Sequence, residues 1–549
     1  MAGQSLIRIL AFLALCLLCA CSQNPQYDLV IRNGRLVDGT GHSARPGDIA
    51  VFDGRIAAMG TFKGRGRTEI DASGLVVAPG FIDVHTHVDD DILRFPLAEN
   101  FVRDGVTTIV CGNCGGSVKD IRGFFDKLSR KGAAVNVATF VGHNTILRAV
   151  KGDRAGELTP EQMDQARQLV SQAMLDGALG MSTGLIYSPG QWSSTAEIIE
   201  LQRAAARHGG IYATHMRSET SAILAAIDEA IAIGREARCR VQISHFKLPA
   251  DAARAIGGSN VTLQRVLDAR RAGIDVGLDQ YPYTASSTTI STLLPDSLLE
   301  GGAASARGRL ADPAEYQRAI GLMREFHEIQ RKRTHFNYAV VSFSEGFPQY
   351  AGRSIYQIAQ MRKLASLQPS AELLNLPADQ LPAVSMEDQY RAILDIYLKG
   401  DASCVFHSMN ETDVENIMRC PLVSIASDSG IRQLGVGMPH PRGYGTNARV
   451  LGRYVRERKV LSLEEAVRRM TLLPASQMGF KDRGLLHVGQ HADITVFDPA
   501  TVQDKATFDK PHRYAEGITH VIVNGRVVLE GGRLTGALPG VALYGPGRR

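Results

Sequence analysis

Eight short apolar runs alternate with amphipathic stretches between about Ala78 and Gly479, and this alternation limits the fold more than any other feature. The runs are Gly80–His85, Val106–Cys111, Val135–Val141, Ala178–Thr183, Ile211–His215, Arg240–His245, Ile274–Leu278 and Leu422–Ser427. Helical patterns such as Glu197–Arg207 and Ile223–Glu236 lie between several of them. Eight strands with helical crossovers are the count of an α/β, (β/α)8 TIM-like barrel. A doubly wound open sheet is the competing arrangement. Roughly 140 residues separate the seventh run from the eighth, well past a normal crossover. An inserted helical or mixed element, such as a lid, is therefore expected at about 290–400.

The two ends of the chain read differently from its middle. Leu29–Arg32 is followed by Asn33-Gly34, and Ile49–Phe52 by Asp53-Gly54. Near the other end come Ala492–Phe497, then His520–Val523 with Asn524-Gly525 and Arg526–Val528. Asn-Gly and Asp-Gly supply the positive φ angles that two-residue hairpins need. Residues 27–78 and 480–540 are expected to build one small β-sandwich domain beside a barrel spanning 79–479.

Arg8 precedes the apolar segment Ile9–Leu18, which is too short to span a bilayer but suits the core of a signal peptide. The segment ends Leu18-Cys19-Ala20-Cys21-Ser22. This resembles the lipobox of bacterial lipoproteins, in which residues 1–20 would be removed and Cys21 lipidated. Ser22 resembles the pattern sorted to the outer membrane. The resemblance implies an exported lipoprotein on the periplasmic side, touching membrane only through that anchor. The 61 basic and 56 acidic residues give a net charge of +5 with no long basic block, so a nucleic-acid partner is not indicated. Three of the eight cysteines lie in the leader, and the other five are scattered, which is not a disulfide framework. Cys111 and Cys114 form a Cys-x-x-Cys pair, elsewhere a redox motif. Their spacing and the export signal lead to the expectation that metal-free protein oxidises there.

Metal-ligand residue types fall at the strand ends. His85-Thr86-His87 closes the first run; side chains two apart on a strand point the same way, so both imidazoles can meet one ion. Cys114 follows the second run, His215 ends the fifth, His245 ends the sixth and Asp428 follows the eighth. In a barrel these ends converge on one face, where active sites sit. Each residue alone has a structural reading, but six together point to a metal centre.

At these residues the sequence resembles the amidohydrolase superfamily, and within it the D-aminoacylase (N-acyl-D-amino-acid deacylase) branch. The resemblance runs through Pro79–His87, Gly112-Asn113-Cys114-Gly115, Gly177–Leu185, His215-Met216-Arg217-Ser218-Glu219, Tyr281-Pro282-Tyr283, Ser427-Asp428 and His440-Pro441-Arg442. The fourth run has no Lys to bridge two metals, and the Cys after the second is the branch's replacement. The resemblance implies tight zinc on Cys114, His215 and His245, with His85, His87 and Asp428 around a weaker second position. It also implies that Asp428 takes a water's proton and delivers it to the leaving amine of an N-acylated amino acid. Lys247 and Tyr283 match carboxylate-binding positions. Arg217 either meets substrate or pairs with Glu219 to orient the fifth strand. His143 is a substrate or supporting candidate with structural use as an equal alternative, and no role for His440 or Arg442 follows from spacing. Action on dipeptides or cyclic amides, or a non-catalytic surface scaffold, remain as alternative functions.

Overall fold

The computed structural model describes residues 26–367 and 382–548, so the leader and Cys21 lie outside the described residues. The chain begins with β1 (Tyr27–Leu36), β2 (Arg45–Phe52), β3 (Arg55–Gly60), β4 (Gly66–Asp71) and β5 (Val76–Pro79). Asp53 takes positive φ in the β2–β3 turn that the sequence marks, whereas Asn33, also at positive φ, sits in a bulge within β1 where Asn33-Gly34 is expected to close a hairpin. Then the barrel starts. Its strands are β6 (Phe81–Asp83), β7 (Val106–Cys111), β8 (Asn136–Thr139), β9 (Val141–Gly142), β10 (Gly180–Gly184), β11 (Ile211–His215), β12 (Val241–Ile243) and β13 (Val276–Gln280).

All of these barrel strands are buried end to end, as parallel strands covered on both faces must be. That burial is why they read as continuous apolar runs rather than alternating ones. β6, β7 and β8 pair in parallel, and β9 to β13 form a second parallel set. Phe140 separates β8 from β9, which together make the third barrel position, and Leu179 N–H donates to Thr139 O to join third to fourth. After an insertion comes β17 (Val423–Ile425), which pairs with β13. The bridge Thr86↔Ser429 and the bond from Asp428 N–H to His85 O (2.9 Å) close last strand to first. The barrel is complete, as the eight runs imply.

The insertion carries β14 (Ser286–Thr289), β15 (Ala339–Phe343) and β16 (Ser403–Phe406) as an antiparallel sheet. Helices Gly302–Leu310, Pro313–Arg324, Ile355–Leu367 and Met386–Leu398 accompany it. Phe336, Ile393, Tyr390 and Tyr397 centre a core of its own. Ala250 N–H to Ser408 O (2.7 Å) and Met409 N–H to Thr284 O (3.1 Å) tie its base to the barrel.

The chain returns through β18 (Ile494–Phe497), β19 (Ile518–Val523), β20 (Arg526–Glu530) and β21 (Arg533–Leu534). β18 pairs antiparallel with β5, so both termini contribute to one β domain. Where a sandwich of two sheets is expected, hydrogen bonding joins all nine strands in one sheet. It curls so that Ile31, Ile49, Val77, Ile494 and Ile522 share a core. The last residues run back under the barrel. Gly540 N–H donates to Ala133 O, Leu543 N–H to Val137 O and Gly545 N–H to Gly177 O, and Tyr544 packs on Phe125.

Candidate metal centre

The strand-end donors meet. Cys114 Sγ lies 3.3 Å from His85 Nε2, 3.7 Å from His215 Nδ1 and 3.5 Å from His245 Nε2. Among the described residues, two donor groups converge to within 4.8 Å: His85, His87 and Cys114, and Cys114, His215 and His245. Cys114 is common to both. Asp428 Oδ1 lies 3.1 Å from His87 Nε2 and 3.6 Å from His85 Nε2. His85, His215, His245 and Asp428 are buried, whereas the His87 side chain is 38% exposed and marks the open side.

The backbone is bent to achieve this. Cys114 (φ 52°), His245 (φ 37°) and Asp428 (φ 52°) all occupy the left-handed region, which costs a non-glycine residue of order 1–3 kcal/mol. Gly112 and Gly115, also at positive φ, flank the cysteine and turn its loop into the barrel mouth. A Cβ on Gly112 would sit 2.3 Å from Phe140 O.

Two carboxylates orient the imidazoles from behind. Asp279 Oδ1 is 3.5 Å from His85 Nδ1 and accepts the backbone N–H of His245 at 2.7 Å. Glu219 lies 3.1 Å from His245 Nδ1, 3.7 Å from His215 Nε2 and 2.5 Å from Lys247 Nζ. Carboxylates in this position fix tautomer and ring direction for metal-ligating histidines. Asp279 is a residue that the sequence reading misses. It stands just past the end of the seventh run, so the strand-end rule that finds the histidines would also have found it.

The charges leave a place for a cation. Burial pushes the Cys114 thiol up, but His85 and His245 more than offset this and hold it well below its ordinary value. Burial likewise works against the Asp428 carboxylate, and the Arg442 guanidinium, then His245, hold its pKa well below the usual range. Loss of water lowers His87, yet Asp428 and Cys114 raise it further, to about 9. Burial lowers His215 and so favours the neutral ring, which has one nitrogen free to donate its lone pair. The ring nitrogens that face Cys114 are His85 Nε2, His215 Nδ1 and His245 Nε2, whereas His85 Nδ1 and His215 Nε2 turn towards Asp279 and Glu219. A thiolate with imidazoles and a carboxylate is the donor chemistry of zinc. These residues fit it.

Beside the donors lies a cationic cradle. Arg442 sits 2.7 Å from Asp428 Oδ2 and over the Tyr281 ring at 4.6 Å, with Lys247 Nζ at 5.8 Å from the same ring. The Tyr281 hydroxyl is buried and unpartnered. His440, held neutral by burial and by Arg442, accepts the Arg442 backbone N–H at 3.0 Å and so seats that residue.

Tyr283 stays close to the cradle: it packs edge-on to His440 under Arg449, its buried hydroxyl has no partner, and it lines one small cavity with Lys247 and Tyr281. The remaining sequence candidates fall elsewhere. Arg217 does not pair with Glu219. It grips Glu229 and the carbonyls of Gln191 and Ser193, bracing the loop that carries Trp192. His143 is fully buried 3.5 Å from Ser193 Oγ, its pKa pushed down to about 3 by burial and the charges of Lys151 and Arg217. Cys111 directs its thiol at Ala138 O (3.5 Å), while Cys114 faces the histidines; both are free. Tyr187, which spacing does not reveal, sets its ring against His215 at 5.1 Å.

Known proteins resemble this chain along nearly its whole length. A family model described as "Amidohydrolase family" matches residues 68–529. D-aminoacylase of Alcaligenes xylosoxydans xylosoxydans is 35% identical over 546 residues, covering 95% of this chain and 98% of the relative. N-acyl-D-aspartate deacylase of the same organism is 36% identical, covering 94% and 95%. The solved structure of N-acyl-D-glutamate deacylase from Bordetella bronchiseptica, complexed with zinc and a phosphonate inhibitor, superposes with TM-score 0.76 at 32% identity. That match covers 94% of this chain and 99% of the other. A family match over most of the chain, with identity above a third along nearly its whole length, places the protein in the amidohydrolase family, within its D-aminoacylase branch.

Proposed function

We propose that the protein is a zinc-dependent hydrolase that cleaves the amide bond of N-acyl-D-amino acids to a carboxylate and a free D-amino acid. The observation that carries this reading is the adjacency of the donor set to the Lys247–Tyr281–Arg442 cradle across Asp428. Cys114, His215 and His245 would hold zinc, with His85, His87 and Asp428 lining a second position; bound there, the ion would act as a Lewis acid and lower the pKa of water towards about 7. Lys247, Arg442 and the Tyr281 hydroxyl receive the substrate carboxylate. With that end fixed, the scissile carbonyl lies over the donors and near Asp428. Arg442 engages Asp428 Oδ2 and keeps the group ionised, so Oδ1 is left to accept the proton of the attacking water. The same oxygen then protonates the departing nitrogen as the C–N bond breaks.

The test is amine release from N-acetyl D- and L-amino acids by zinc-loaded protein. Turnover confined to D-configured substrates is expected. No turnover of any D-configured substrate overturns the reading.

We further propose that the chain is exported and lipidated at Cys21, held on the periplasmic side of the outer membrane. The lipobox-like Leu18–Cys21 supports this. Incorporation of labelled palmitate that is lost in Cys21→Ser is the expected result; label retained in the variant excludes Cys21 as the site.

A further inference from the structure

The chain enters the β domain at an end that is both aromatic and cationic. The loop between β3 and β4, Thr61–Arg65, lies directly against the first described residues: the Arg65 carbonyl accepts the N–H groups of Gln26 (2.9 Å) and Tyr27 (3.1 Å). The Tyr27 and Phe62 rings meet edge-on at 5.6 Å. The Arg32 guanidinium lies 5.1 Å over Phe62 and donates to Gly64 O, so the loop is held in place. The β2–β3 turn stands beside it, because the Asp53 N–H donates to Asp28 Oδ2 at 2.8 Å. That turn presents Phe52, which is 57% exposed. Next to it, Arg55 donates at 2.7 Å to the carbonyl of Gly489, whose neighbour Val488 is 52% exposed.

Lys63, Arg65 and Arg67 are all exposed, and the run 61–67 that carries them holds no acid. The acids around it are engaged. Asp28 accepts the Asp53 N–H and lies 3.8 Å from Arg67, Glu69 accepts the Gly66 N–H at 3.0 Å, and Asp48 pairs with Arg32 at 2.9 Å. Among the described residues, Lys63 and Arg65 have no ion partner, and Asp53 is the acid here without one. Exposed apolar and aromatic side chains ringed by free cations suit a membrane surface, where rings settle at headgroup depth and Lys and Arg are drawn to anionic lipid.

Chain length fixes how far away that surface can be. With Cys21 lipidated, only residues 22–25 separate the anchor from Gln26, and five Cα–Cα steps reach at most about 18 Å. The Tyr27 end of the β domain therefore stays within that distance of the bilayer. We infer that this end docks on the membrane, with Phe52 and Val488 at the headgroup boundary and Lys63, Arg65 and Arg67 meeting anionic phospholipid headgroups. The inference rests on the lipidation at Cys21 proposed above.

The experiment places the lipidated Phe52→Trp protein in vesicles of phosphatidylcholine brominated on its acyl chains, with and without phosphatidylglycerol. Tryptophan emission is read against wild type, whose single tryptophan is Trp192. Quenching beyond that of wild type is expected in the phosphatidylglycerol vesicles at low salt. Adding Lys63→Gln and Arg65→Gln is expected to abolish most of it, each cation removed lowering the docked-to-free ratio about fivefold. Both side chains are exposed, and the Arg65 carbonyl that holds the loop is untouched, so the local fold is kept. Labelled palmitate on the same preparation separates the two readings. Palmitate present without the extra quenching overturns this inference alone. So does quenching that is equal in both vesicles and unchanged by the glutamines. Emission of Phe52→Trp that shifts with protein concentration in detergent, with no vesicles present, assigns the face to a second copy of the chain and also overturns it. Absence of palmitate overturns the lipidation reading and this inference with it.

Discussion

Asp428 carries the heaviest chemical assignment of any single residue. Replacing it by Asn keeps its shape but removes the base, so kcat/KM is expected to fall about 10²–10⁴-fold. Zinc bound by Cys114, His215 and His245 should remain in Asp428→Asn and be lost in Cys114→Ser, as metal analysis of the purified variants will show. The protonation states make a second prediction. His87 in the metal-free protein has its pKa raised to about 9, so it carries a proton at pH 7. A ligating imidazole must be neutral. Metal occupying the His87 position at pH 7 therefore displaces that proton, and apparent affinity rises with pH until about 9. Calorimetry in buffers of different ionisation enthalpy reads the proton count; no buffer dependence at pH 7 would exclude His87 from the ligand set. At this scale, the strand-end positions of His85, His87, Cys114, His215, His245 and Asp428 can be read from the chain. The partners of Arg217 and Glu219 cannot, because side-chain pairing depends on residues that spacing does not rank. Glu229, twelve residues further along, captures the arginine and frees Glu219 for His245 and Lys247.

Among the elements, the loop after β7 is the most constrained. Gly112 has φ 73°, and a Cβ there would meet Phe140 O at 2.3 Å. Gly112→Ala is expected to cost well over about 1 kcal/mol, since both conformation and space oppose it. Because the loop aims Cys114, zinc content should drop with stability, measurable by denaturant titration and metal analysis of the same preparation. Barrel strands can be located in the sequence because burial on both faces demands unbroken apolar runs. Their true ends are less visible. The seventh strand runs to Gln280, two residues past its apolar run, and so takes Asp279 into the metal site. Asp279 directly follows that apolar run, so carrying each run on to the next polar residue recovers it, as it recovers the histidines.

The whole molecule is held together by contacts between distant parts of the chain. The tail contributes backbone bonds to Ala133, Val137 and Gly177 beneath the barrel, with Val137 also donating to Val541 O. Four such bonds at about 0.5–1.5 kcal/mol each suggest that deleting residues 540–549 costs about 2–6 kcal/mol. The stability loss should appear in chemical denaturation, while the centre at the opposite mouth still binds zinc in the folded fraction. Wild-type stability in the truncated protein would show the tail to be passive. The sequence by itself determined the barrel, the terminal β domain and the six donors, since hydrophobic period, turn chemistry and residue type are local properties. Tertiary structure alone decided that the Tyr281 ring lies under both Lys247 and Arg442 and that Arg442 grips Asp428. Each of these depends on where barrel, insertion and closing loops meet, and no local pattern records the direction in which a side chain turns once they do.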